Sequence, residues 1–211
     1  MRATKSKLKE IKSKIEILYM ELFYVKLEWK LMHNIDLTYS QKDKNHYNNY
    51  KIVMFSIKDS LWYSIIMRLS KILDTRDKKS LLSILICIKN DFLIKKMNLF
   101  RETDLEFMIT NLNSYKSDFD EDGNYLDLFK ECRDNYFAHI DEFKSPFEAQ
   151  QKVLISNNRI NLLMDECSKI LEELNDKFKM GISSERDNKV IEILELEYKN
   201  MYNKIESSFN K

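Results

Sequence analysis

Apolar residues recur along this chain at alternating spacings of three and four, the period of α-helices lying on a core. Leu8, Ile11, Ile15, Leu18, Leu22, Val25, Trp29 and Met32 trace a seam of about four heptads and predict a first helix over 4–33. A second helix is expected from near His46 or Asn48 to Asp74. Its positions Tyr50, Met54, Ile57, Leu61, Ile65, Leu69 and Ile72 are flanked by Trp62 and Ile66, a stripe wide enough for burial on more than one side. The charged run 74–79 separates it from a third helix over about 80–95. Thr103 and Glu106 have capping-box spacing and predict a short helix to about Asn113. The polar stretch 113–124 reads as a loop, followed by a helix carrying Tyr125, Leu128, Phe129 and Cys132. Ser145-Pro146-Phe147-Glu148 reads as a helix start, with a Ser cap, Pro in the first turn and Glu closing the box. The helix it opens carries Ile160, Leu163, Cys167, Ile170, Leu174 and Phe178, with Gly181 as its natural C-cap. A last helix over 184–209 holds Ile191, Leu194, Tyr198, Met201 and Ile205.

Composition agrees with helix throughout. Two glycines and one proline in 211 residues leave too few turn residues for strands and hairpins. The expected fold is therefore all-α, a helical bundle with long N- and C-terminal helices. One domain over 1–211 is expected, its core at about 46–180. The terminal helices 4–33 and 184–209 have narrow seams that suit one partner helix each. They pack on that core, on each other or on a partner subunit; packing within the chain is the simplest of these.

Charge and cysteine usage narrow the function classes. Lys and Arg number 35 against 34 Asp and Glu, a balance that argues against a protein coating polyanions non-specifically. Cys87, Cys132 and Cys167 form no CxxC pair and read as free thiols among apolar neighbours. The N-terminus is basic without an apolar signal region, and no apolar run reaches the ~18–20 residues of a membrane span. A cytoplasmic location with no membrane partner is expected.

Several segments invite a chemical reading. Asp118, Asp120 and Asp122 followed by Gly123 imitate the start of a calcium loop, but the twelfth position, which needs a bidentate Glu, is Phe129. An acidic loop ahead of a helix N-terminus accounts for the same residues, and no metal or other cofactor is expected. His33 and His46 have no ligand-spaced companions and read as surface histidines. The basic runs 5–14 and 76–79 read as solvated faces, the second a candidate guide for a phosphate backbone.

The segment Arg133-Asp134-Asn135-Tyr136-Phe137-Ala138-His139 is different. A guanidinium holds phosphate oxygens bidentately and stabilises charge developing on phosphorus. An imidazole relays a proton near neutral pH. Six residues of ideal helix nevertheless turn through about 600°, leaving the two side chains about 120° apart in azimuth and about 9 Å apart along the axis. Either the helix ends before His139, or a second copy of the segment completes the site. The alternative is structural, with Arg133 satisfying a helix end beside Asp127 or Glu131.

Arg133-Asp134-Asn135-Tyr136-Phe137-Ala138-His139-Ile140-Asp141 resembles the signature of the HEPN superfamily, an Arg followed by a polar residue and, after four to six residues, a His. The upstream segment from Leu61 to Asp74, which ends Leu69-Ser70-Lys71-Ile72-Leu73-Asp74, is similar to the corresponding helix of the AbiU-type branch from bacterial abortive-infection systems. The resemblance extends over roughly 50–145. It implies a HEPN-like bundle and a metal-independent endoribonuclease, acting as the toxin of a toxin–antitoxin or anti-phage system. It also implies a homodimer whose two Arg/His segments face one cleft, with RNA as substrate and an antitoxin or regulatory protein as a further partner. Arg133 and His139 would be catalytic, with Asp134, Asn135 and Asp141 in support. Asn135 lies one helical turn before His139, a spacing that suits a hydrogen bond fixing its tautomer. Some relatives are silenced by modification of a Tyr two residues after the His. That position here is Asp141, so this control is not carried over. Several HEPN proteins are non-catalytic, and the alternative function is a silent helical module that binds a protein partner.

Overall fold

The computed structural model describes residues 2–40, 51–74, 77–117 and 157–209, and every regular element among them is an α-helix. These are α1 (Arg2–Ser40), α2 (Lys51–Leu73), α3 (Leu81–Asn90), α4 (Phe92–Lys95), α5 (Glu102–Ser117), α6 (Asn157–Phe178) and α7 (Ser184–Phe209). They group into two compact units, one formed by Met1–Leu22 with Ile66–Gly181, the other by Phe23–Ile65 with Ile182–Lys211. Both α1 and α2 run from one unit into the other.

In the first unit, the seam residues Ile11, Ile15, Leu18 and Leu22 of α1 are each at most 3% exposed. The same unit buries Ile66, Leu69 and Ile72 of α2, Leu81, Ile84 and Leu85 of α3, and Leu163, Cys167 and Leu171 of α6. Helix α3 packs on α5, and α5 packs on α6. In the second unit, Val25, Trp29, Met32 and Ile35 continue the α1 seam, and the Trp29 ring lies 6.4 Å from that of Trp62. The amide of Asn34 donates to the Glu195 carboxylate at 2.9 Å, and Lys30 stands 3.6 Å from the same group, tying α7 to α1 within this unit.

Four boundaries depart from the sequence expectation, each for a local reason. Helix α1 continues to Ser40 rather than stopping at 33, because Glu195 satisfies Asn34 and Ile35 is buried. The expected helix over 80–95 breaks at Asp91. Its backbone N–H closes α3 on the Cys87 carbonyl at 2.9 Å, while its carboxylate accepts from the Ile94 N–H at 3.2 Å and starts α4. The Thr103/Glu106 capping box does not form: α5 begins at Glu102, and Glu106 accepts from Lys89 Nζ at 2.8 Å instead. Helix α5 also runs on past Asn113 to Ser117. Its polar positions are satisfied in place, the Ser114 hydroxyl by the Asn111 carbonyl at 2.6 Å and the Asn111 amide by Glu166 at 3.1 Å. Ser80 caps α3, its hydroxyl accepting from the Ser83 N–H at 3.2 Å.

The end of α6 differs in kind. The Met180 N–H reaches the Asn175 carbonyl at 3.0 Å, and the Lys179 N–H reaches Asp176 at 3.1 Å, the paired bonds of a Schellman motif. Its left-handed residue is Lys179, at φ 51°, rather than Gly181, which adopts φ 74° two residues further on.

Candidate functional site

Helix α2 carries the described part of the family resemblance, and its side chains divide between packing and ion pairing. Ile65, Ile66, Leu69 and Ile72 are fully buried, and Leu73 is 4% exposed. Within the first unit, Arg68 Nη1 donates to Glu21 Oε2 at 2.5 Å, and Lys71 Nζ lies 3.4 Å from the other oxygen of that carboxylate. A half-buried carboxylate thus holds two cations, Lys71 within the Leu-Ser-Lys-Ile-Leu-Asp segment and Arg68 just before it. Within the second unit, the Ser64 hydroxyl donates to Glu28 at 2.7 Å. Ser70 is 5% exposed, and its hydroxyl meets no hydrogen-bond partner among the described residues.

Arg133, Asp134, Asn135, His139 and Asp141 lie outside the described residues, as do the calcium-like stretch 118–124, Cys132, His46 and the helix start at Ser145 and Pro146. Among the described residues, no three His, Cys, Asp or Glu side chains converge as metal ligands. Cys87 is half-buried and Cys167 buried, and neither forms a disulfide among the described residues.

His33 departs from its reading as a surface residue. It is half-buried inside α1, its ring 4.5 Å from that of Trp29. Its Nδ1 lies 3.0 Å from the Trp29 carbonyl oxygen. A carbonyl only accepts, so this nitrogen bears the proton and the residue is engaged in packing. Elsewhere, perturbed carboxylates mark ion pairs. The hydrogen bond and charge of Lys14 hold Glu10 below the usual glutamate range, and Lys89 does the same for Glu106. Glu195 is lowered first by the Asn34 hydrogen bond, against the opposing effect of burial and with help from the Lys30 charge.

A family model described as AbiU2, of the HEPN type, matches residues 7–200. The chain belongs to the HEPN AbiU2 family. No curated protein matches it, and no solved structure does. Family membership makes this an abortive-infection-related HEPN domain, in keeping with the all-helical architecture of the described residues. The match also corrects the extent of the resemblance. Instead of ending near 50 and 145, it takes in most of α1 and a large part of α7. No described helix of the HEPN AbiU2 protein is long and apolar enough to cross a membrane.

Proposed function

We propose that this HEPN AbiU2 protein is a metal-independent endoribonuclease, the toxin or effector of an abortive-infection or toxin–antitoxin system. The observation that carries the reading is the Arg133-Asp134-…-Ala138-His139-Ile140-Asp141 segment in a chain of this family. The RNA's own 2′-hydroxyl attacks the adjacent phosphorus, and the bond from phosphorus to the 5′-oxygen breaks. The products are a cyclic phosphate and a free 5′-hydroxyl. Arg133 holds the non-bridging oxygens as charge builds on them. His139 transfers the proton, and Asp134, Asn135 and Asp141 orient the pair. Six residues of ideal helix would leave the two side chains about 120° apart in azimuth, which favours a homodimer in which two segments share one cleft. An antitoxin or regulatory protein would be the cytoplasmic counterpart.

The test is cleavage of RNA by purified protein with chelator present. Arg133→Ala and His139→Ala should each abolish cleavage while the helical circular dichroism is unchanged; undiminished cleavage by both would sink the proposal. A second reading, a catalytically silent module that binds a protein partner, is favoured by the outer face of α7. Ile193 is 57% exposed and Leu196 60% exposed. Wild-type protein that cleaves nothing but retains a partner, and loses it on Ile193→Asp, would decide for that reading.

A further inference from the structure

The chain's charges nearly balance overall, yet one surface of the first unit does not share that balance. The turn from α4 into α5 and the end of α6 meet through their aromatic rings, Phe100 lying 5.7 Å from Phe178. Lys177 Nζ lies 6.0 Å from the Phe100 ring, so the two segments form one surface. Over 91–102 and 176–180 there are five cations (Lys95, Lys96, Arg101, Lys177 and Lys179) against three carboxylates, Asp91, Glu102 and Asp176, and Asp91 is taken up in capping α4. Glu102 is engaged by Lys95 at 3.6 Å. Lys96, Arg101, Lys177 and Lys179 are exposed and make no ion pair among the described residues. On the same 91–102 segment Phe92 is 66% exposed, its ring 4.7 Å from Lys96 Nζ.

An exposed aromatic ring with a cation against it, on a segment packed beside further unneutralised cations, suits one ligand chemistry in particular. Single-stranded nucleic acid places phosphates on cations and stacks bases on aromatic rings. A protein partner fits less well, because interface centres are depleted of lysine. We propose that this surface, Phe92 with Lys96, Arg101, Lys177 and Lys179, docks single-stranded RNA. The choice of RNA as occupant rests on the ribonuclease reading; the surface is built by residues separate from Arg133 and His139. The cations track the phosphate backbone, and the Phe92 ring receives a base.

The test is made so that binding and cleavage fail separately. The full chain carrying Arg133→Ala and His139→Ala is titrated into a fluorescent single-stranded 2′-O-methyl uridine oligomer, which cannot be cleaved by its own 2′-oxygen. Four phosphate contacts predict a slope of log affinity against log salt of about −2.8, falling to about −1.4 in Lys96→Ala/Lys177→Ala. Extrapolated from a ~1 M reference, that loss is roughly 25-fold at about 0.1 M salt. Phe92→Ala should weaken binding by about fivefold or more at an unchanged slope. Lys5→Ala/Lys12→Ala, on the separate basic run of α1, should bind as the parent does. All these side chains are at least partly exposed, and unchanged melting checks that each variant folds. Absence of binding by the parent overturns the proposal. So does undiminished binding by both patch variants, or an equal loss from the α1 variant.

Discussion

Replacing Lys179 by glycine should stabilise the protein, although lysine is the better helix former. At φ 51° its backbone is left-handed, which costs an L-residue about 1–2 kcal/mol through the clash of Cβ with the following carbonyl. Glycine escapes that clash but loses more freedom on folding, about 0.5–1 kcal/mol. The Lys179 side chain is exposed and makes no ion pair among the described residues, so its removal forfeits little in the folded state. The balance is about 0.5–1 kcal/mol in favour of Lys179→Gly. For a chain of this length that is a rise in melting temperature of about 1–4 °C. Urea unfolding followed by far-UV circular dichroism reads it as a higher midpoint at unchanged slope. Gly181→Ala is the counterpart. A Cβ there meets nothing within 4 Å, so only the strain at φ 74° opposes it, and a loss of about 1 kcal/mol is expected. If Lys179→Gly lowered the midpoint, the Schellman assignment at the end of α6 would be wrong.

Other substitutions probe the core, the buried hydroxyl and the α1–α7 contact. Leu171→Ala, at a fully buried position, should cost about 2–5 kcal/mol in the same unfolding assay, and a loss under about 1 kcal/mol would contradict its burial. Ser70→Ala should be neutral or stabilise by up to about 1 kcal/mol, since it removes a buried hydroxyl with no partner among the described residues; marked destabilisation would reveal a partner for that hydroxyl. Glu195 titrates below its unfolded value when folded, chiefly through the Asn34 hydrogen bond, so its contribution is complete above the unfolded pKa and lost as pH falls through the folded one. Between about pH 6 and about pH 3 the urea midpoint should fall less in Glu195→Gln than in wild type, and parallel pH profiles would refute the linkage.

Helix type was legible wherever packing alone decided it. The α1 seam from Ile11 to Met32 is buried at every apolar position the spacing picked out. What the spacing could not locate were ends set by side chains far away in sequence. Asn34 looks like a terminus until Glu195, on another helix, satisfies it. Asn111 looks like the approach to a loop until Glu166 does the same. Glycine is the usual left-handed cap, so Gly181 drew the expectation, and only the bonds from Met180 and Lys179 show the turn closing two residues earlier. Asp91 was concealed because its competing acceptor role operates on its own neighbour Ile94, inside an otherwise unbroken apolar run.

The segment of α2 that suggested the family is explained by packing and by ion pairing with Glu21. Leu69, Ile72 and Leu73 are buried, Arg68 and Lys71 are held by that carboxylate, and among the described residues Ser70 alone of this run has a buried side-chain polar atom left over. None of these groups needs RNA to account for its presence. The chemistry was read from different residues, Arg133 and His139, chosen because a guanidinium and an imidazole suit phosphodiester transfer. The family resemblance was thus carried by both sets, whereas only Arg133 and His139 bring groups suited to phosphodiester chemistry, and a fold does not by itself fix an activity. Substituting the α2 set should therefore lower stability and cleavage together. Substituting Arg133 or His139 should lower cleavage alone, and that contrast separates a HEPN nuclease from a HEPN scaffold.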